Sequence, residues 1–193
     1  MFFGLLVGWI IGSQQGTGGP RPPAATAAAT PTPAAGTGAA APLDENRARA
    51  LQAQAESGPQ DAAVRIELGN LYFDAERYPD AVRWYEDALR IDPKNANAST
   101  DLGVAYYYMN QPDRALQQFG VSLSIDPKHP KTLLNQGIVM AFGKQDLEGA
   151  SRSWQQVIAL APDSPEGRAA KQALDSLKSA HPGMGGPAGA PGT

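Results

Sequence analysis

The phrase Ile-Asp-Pro-Lys stands at Ile91–Lys94 and again at Ile125–Lys128, and a looser copy, Leu-Ala-Pro-Asp, follows at Leu160–Asp163. The prolines at the centre of these phrases, Pro93, Pro127 and Pro162, are spaced by 34 and 35 residues. A near-constant period of this length points to a chain made of stacked supersecondary units, none of which can bury its own apolar face. No other feature of the sequence restricts the fold as much.

Upstream of each proline the same residue types recur. The first unit carries Leu68, Gly69, Tyr72, Ala81, Tyr85, Ala88 and Pro93, and the second carries Leu102, Gly103, Tyr106, Ala115, Phe119, Ser122 and Pro127. The third carries Gln136, Gly137, Met140, Ala150, Trp154, Val157 and Pro162. Within the first unit, Val64, Leu68, Leu71 and Tyr72 fall at helical spacing. Gly69 and Ala81 remove side chains where two helices must approach, and Tyr85 is large enough to fill the space between them. Pro93 cannot continue a helix and so closes the unit.

This pattern resembles the tetratricopeptide repeat (TPR) family, whose unit is a pair of helices with a period of about 34 residues. The resemblance implies an all-α fold, an α-solenoid of three helix pairs over 60–93, 94–127 and 128–162. A leading helix over 44–57 and a C-terminal capping helix over 164–180 complete it, the latter opened by Ser164 as N-cap and Pro165 in its first turn. The family's tryptophan position holds Arg65, Ser99 and Leu133 in turn. The third unit departs further, with Gln136 for leucine and one extra residue within Phe142–Ala150, where the turn is expected to bulge.

Composition divides the remaining chain. Between Met1 and Leu43 the only charged side chain is Arg21, and residues 13–43 are almost entirely Gly, Pro, Ala and Thr. Such a stretch cannot bury enough apolar surface to offset its ordering entropy and is expected to be a disordered tether, as is the tail over 181–193. About 135 residues then carry the fold, enough for a modest core. The net charge is −3 and no basic stripe is visible, which argues against a nucleic-acid partner. The chain has no cysteine, so disulfides, thiolate chemistry and cysteine-bound zinc are excluded. Its two histidines, His129 and His181, have no second ligand or nucleophile at useful spacing. Gly16–Pro20 lacks the Lys-Ser/Thr ending of a phosphate loop. The expectation is a non-enzyme with no cofactor and no metal.

Residues 1–12 are apolar throughout. As a helix they would reach roughly 18 Å, short of the ~30 Å hydrocarbon core. A signal peptide would want a basic start, and a buried core segment would want a neighbouring fold. The favoured expectation is a membrane anchor whose first residues precede Met1. Gly4, Gly8 and Gly12 fall on one helical stripe of the kind that packs membrane helices closely, so pairing of anchors into a homo-oligomer is one expectation. An apolar N-terminus followed by such a linker is similar to bacterial inner-membrane proteins that face the periplasm. The whole arrangement is similar to the TPR subunits that assist c-type cytochrome maturation.

The resemblance also implies a function, in which the first helices of the pairs line a concave groove that binds a protein or peptide partner. In family register the groove positions are Ala63, Ile66, Asn70 and Phe73 in the first unit. Asn97, Thr100, Val104, Tyr107 and Tyr108 follow in the second, and Lys131, Leu134, Ile138, Ala141 and Phe142 in the third. Family members that grip chaperone C-terminal carboxylates use a set of five polar residues in this groove. Asn70 and Lys131 match that set here, whereas Ile66, Asp101 and Asn135 do not. An apolar, aromatic groove suits an amphipathic helix or an extended apolar segment instead. The alternative is a structural protein whose copies assemble on one another.

Overall fold

The computed structural model describes residues 42–181, and within them the chain is helical, with no strand. The expected anchor lies outside these residues, as do the expected linker up to residue 41 and the expected tail from residue 182. Eight α-helices follow in order: α1 Glu45–Ser57, α2 Ala62–Asp74, α3 Tyr78–Ile91, α4 Ala96–Tyr108, α5 Pro112–Ile125, α6 Pro130–Ile138, α7 Leu147–Leu160 and α8 Pro165–Ala180. A π-helical turn, Val139–Gly143, extends α6. Helices α2 and α3, α4 and α5, and α6 and α7 form three antiparallel pairs that pack successively as a solenoid. Helix α1 covers the outer face of α2, and α8 covers α7.

Local chemistry explains where each helix begins. Asp44, Asp61, Asn95, Asp146 and Ser164 each accept a hydrogen bond from a backbone N–H of the following turn, as good N-caps do. Arg77, Gln111 and His129 make no such bond. Each is followed by a proline in the first two helical positions, where a missing N–H costs nothing. Between the two helices of each pair one residue takes a left-handed backbone: Glu76 (φ 56°), Asn110 (φ 58°) and Gln145 (φ 58°). The next N–H then turns back to the helix just ended, Arg77 N to Tyr72 O and Gln111 N to Tyr106 O, both 2.9 Å. This is the geometry that lets a helix end without exposing its last carbonyls.

The core repeats with the sequence. The aromatic ring of each second helix lies over the glycine of the first. A Cβ built on Gly69 would stand 2.4 Å from Tyr85, one on Gly103 2.5 Å from Phe119, and one on Gly137 2.3 Å from Trp154. Tyr85, Phe119 and Trp154 are all but fully buried, as are Ala81, Ala115 and Ala150. The motif therefore builds one joint three times over, a ring seated on a helix backbone.

The extra residue of the third unit sits elsewhere than expected. The loop from Lys144 to Asp146 keeps the three residues of its counterparts, and the insertion is absorbed at the end of α6 as the π-helical turn. There Lys144 N donates to Val139 O (3.1 Å), and Asp146 N reaches back to Met140 O (2.8 Å), one residue further than in the first two pairs. Widening a helix by one residue keeps its backbone hydrogen-bonded, whereas a longer loop would leave donors unpaired.

Candidate functional site

The side chains assigned to the groove divide by depth. Val104 (5% exposed), Leu134 (1%), Ile138 (5%) and Ala141 (6%) belong to the core, and Thr100 is completely buried. These five are corrected from groove lining to interior packing. Helices α4 and α6 are covered on more of their circumference than α2, so register predicts the face of a residue but not its depth. Ile66, Asn70, Phe73, Tyr107, Tyr108 and Lys131 are half-buried, and Asn97 and Phe142 are exposed.

Thr100 belongs to a polar joint between three helices. Its hydroxyl lies 2.6 Å from that of Thr132 and 2.9 Å from that of Ser122, and it also reaches Ala96 O at 2.7 Å. Ser122 and Thr132 are 2.8 Å apart, and Nδ1 of His129 is 2.6 Å from Thr132. Three hydroxyl protons cannot fill all these short contacts. An Nδ1–H on His129 supplies a fourth and allows a continuous chain from His129 through Thr132, Ser122 and Thr100 to the Ala96 carbonyl. Burial pushes the His129 pKa down, against the pull of Asp126. The sequence offered no signal for this cluster, because its three hydroxyl residues are 10 to 32 residues apart and each is ordinary in isolation.

Both groove residues that match the carboxylate-binding set are engaged within the chain. Lys131 Nζ sits 2.6 Å from Asp101 Oδ1, with both side chains largely covered. Burial raises the Asp101 pKa and the Lys131 charge opposes it. Asn70 Oδ1 accepts a hydrogen bond of 2.7 Å from the Tyr85 hydroxyl. Asn135, nearly buried, donates to Lys131 O (2.8 Å). Lys131 therefore offers no free charge to an acidic ligand.

The aromatic residues converge instead at the end of the pairs where α2 and α4 finish and α3 starts. Phe73 meets Tyr78 and Tyr108 edge to face, each at 5.3 Å between ring centres. Tyr78 and Tyr108 stack at 5.1 Å, and Tyr107 meets Tyr108 at 6.0 Å. Tyr107 lies beside Gly143, next to the exposed Phe142. Burial raises the phenol pKa of Tyr107, and it lifts that of Tyr108 to about 12, with neighbouring Tyr78, Tyr107 and Glu76 adding to the effect. Tyr78, at the start of a second helix, is a member that the groove register did not include. Among the described residues no three acidic or histidine side chains converge as a metal site would require.

The stacked helix pairs and the glycine–aromatic joints define the class as a TPR-type α-solenoid. The TPR repeat family matches residues 69–110, which span most of the first pair and the first helix of the second. Comparison with curated proteins by sequence finds no match. Among solved structures, MamA superposes with a TM-score of 0.60 at 17% identity, over 69% of this chain and 75% of its own. The first TPR domain of Spaghetti (RPAP3), bound to the HSP90 peptide SRMEEVD, gives 0.56 at 26% identity, over 63% of this chain and 93% of its own. The Arabidopsis OM64 TPR domain gives 0.54 at 21%, over 60% and 94%.

Proposed function

We propose that this chain is a protein-interaction adaptor that holds a partner segment on the aromatic end of its first-helix face. The observation that carries the reading is the four-ring cluster of Phe73, Tyr78, Tyr107 and Tyr108, half-buried and drawn from three helices. Rigid aromatic side chains give large contact area at low entropic cost and dominate binding surfaces. The RPAP3 domain is bound to an acidic peptide. Here Lys131 is neutralised by Asp101, so the preferred partner segment is not acidic. Partner capture by the full chain is compared with that by Tyr107→Ala/Tyr108→Ala, with melting curves confirming that the variant is folded. Loss of partners from the folded variant is expected, and full retention would place the binding surface elsewhere.

The adaptor reading extends to a tether. The apolar residues 1–12 support membrane attachment, with the repeats on the periplasmic side and assembly of an envelope complex, such as c-type cytochrome maturation, as the process served. Membrane fractions washed at alkaline pH should retain the full chain and release a version that begins at Ser13. Release of both would end the tether reading. Exposed Val121, Phe142 and Leu160 favour a second reading, self-assembly of copies. A mass that stays monomeric across concentration rules it out.

A further inference from the structure

The six tyrosines fall into two sets of three by what their hydroxyls do. Tyr72 accepts from Gln52 (2.9 Å), Tyr85 donates to Asn70 (2.7 Å), and Tyr106 donates to Glu86 (2.7 Å) while accepting from Arg114 (2.9 Å). These are the structural set, each tied into the fold. The hydroxyls of Tyr78, Tyr107 and Tyr108 have no hydrogen-bond partner among the described residues, although their rings are packed together. Three half-buried phenols with no hydrogen-bond partner among the described residues, on a packed aromatic platform, are a specific chemical offer.

Glu76 adds charge to it. Its left-handed backbone places it in the short turn between Phe73 and Tyr78, and its charge contributes to raising the phenol pKa of both Tyr78 and Tyr108. Asp74 stands two residues earlier and feels the Arg47 charge at longer range, and neither carboxylate has an ion-pair partner within 4.0 Å among the described residues. The platform thus combines flat apolar rings, hydroxyl donors and an unpaired negative edge.

The geometry points to an extended proline-rich segment of a partner protein, carrying a basic residue, as the ligand of this platform. This names the ligand class for the surface proposed above and rests on that reading. Proline rings pack against aromatic faces. A polyproline II chain has no internal hydrogen bonds, so its carbonyls are free to accept from the phenols. Such a ligand is already extended, which lowers the entropic cost of binding. The flanking arginine or lysine meets Glu76 and Asp74. An amphipathic helix would satisfy its own carbonyls and leave the three hydroxyls unused.

The test uses the full chain labelled with fluorotyrosine, its six resonances assigned by single Tyr→Phe changes. The probe is the synthetic peptide Pro-Pro-Arg-Pro-Pro-Ala-Pro, beside a version with glutamate for arginine and one with alanine for every proline. The arginine peptide should shift Tyr78, Tyr107 and Tyr108 and leave Tyr72, Tyr85 and Tyr106 in place. Its affinity should exceed that of the glutamate peptide by about five- to tenfold, the effect of exchanging one exposed attraction for one exposed repulsion. Glu76→Gln should shrink that ratio. Tyr78→Phe with Tyr108→Phe, which keeps both rings, should weaken binding severalfold. Patch resonances that do not move, or that respond equally to the alanine peptide, overturn the proposal. If partner capture still depends on Tyr107 and Tyr108 in that case, the adaptor reading survives and only the ligand class falls. The chain's own sequence contains Pro20-Arg21-Pro22-Pro23, so the titration is repeated on Arg21→Glu. Unchanged peptide affinity is expected, and tighter binding to that variant would overturn the assignment to a partner. Patch shifts that grow with protein concentration in the absence of peptide would overturn it in favour of a second copy.

Discussion

At the scale of single residues, the glycines test whether the ring-on-backbone joint holds the pairs together. Glycine inside a helix normally costs about 0.5–1 kcal/mol relative to alanine, so Gly→Ala there should stabilise. Gly120 in α5 has nothing within 4 Å of a new Cβ, and Gly120→Ala should raise stability by about that amount. At Gly69 the new methyl would meet the Tyr85 ring at 2.4 Å, and that ring is buried and tied to Asn70. Gly69→Ala should therefore destabilise by about 1–3 kcal/mol, the usual cost of overpacking. Urea midpoints of the two variants moving in opposite directions is the expected result. His129 gives a second residue-scale prediction. Its folded pKa lies below the free value, so as pH falls the unfolded chain takes up the proton first. The stability held by neutral His129 is complete above about pH 6.5 and is lost as pH falls from there through its lower folded pKa. Asp126, Asp101 and Glu166 pull toward the cation while Lys131 opposes it, and burial outweighs the pull. Urea midpoints at pH 5 and pH 8 should differ less in His129→Gln than in the parent chain. An unchanged difference would show that another group controls this range.

At the scale of elements, the turn inside each pair ends a helix by placing a non-glycine residue in the left-handed region. Asparagine tolerates that backbone through its short polar side chain, whereas Gln145 has no such help. Gln145→Gly should raise stability by about 0.5–1 kcal/mol, the relief of the Cβ clash less the entropy glycine adds to the unfolded chain. Asn110→Gly should give less, and thermal melts of the two variants make the comparison. The sequence announced these turns only indirectly. The phrases Ala-Glu-Arg-Tyr-Pro and Asn-Gln-Pro mark tight connections, but no glycine flags the left-handed residue. The third turn shows a limit of the same kind. Counting residues reveals one extra in the last unit, yet helix and loop compete for it. The helix takes it because a π-helical turn keeps the helix end bonded, with Lys144 N on Val139 O and Asp146 N on Met140 O. Depth was equally illegible. Val104 and Leu134 carry the correct periodicity for a groove face, but only the packing of neighbouring pairs reveals that they are covered. Tyr78 lies outside the first-helix register, so its place on the aromatic platform emerged only from the ring geometry.

At the scale of the whole solenoid, stability is a sum over neighbours, and this makes the terminal helix a sharp probe. Helix α8 buries Ala169, Ala170 and Leu174 against the last pair and packs on both α6 and α7. Its outer side is polar, with an exposed Lys171–Asp175 ion pair one turn apart. The pattern of small apolar residues on one face and charges on the other is that of a cap, which closes the stack without inviting a further unit. Ending the chain after Asp163 would leave the third pair with the open apolar face that every inner pair hides against its successor. Because the first pair is two interfaces away, it should feel almost none of this. Hydrogen exchange followed by mass spectrometry on the truncated chain should show protection lost over residues 130–160 and retained over 62–91. Dye binding to apolar surface should rise at the same time. A uniform loss of protection across all three pairs would mean that the solenoid folds as one cooperative block, with coupling between pairs stronger than the stability of any one of them.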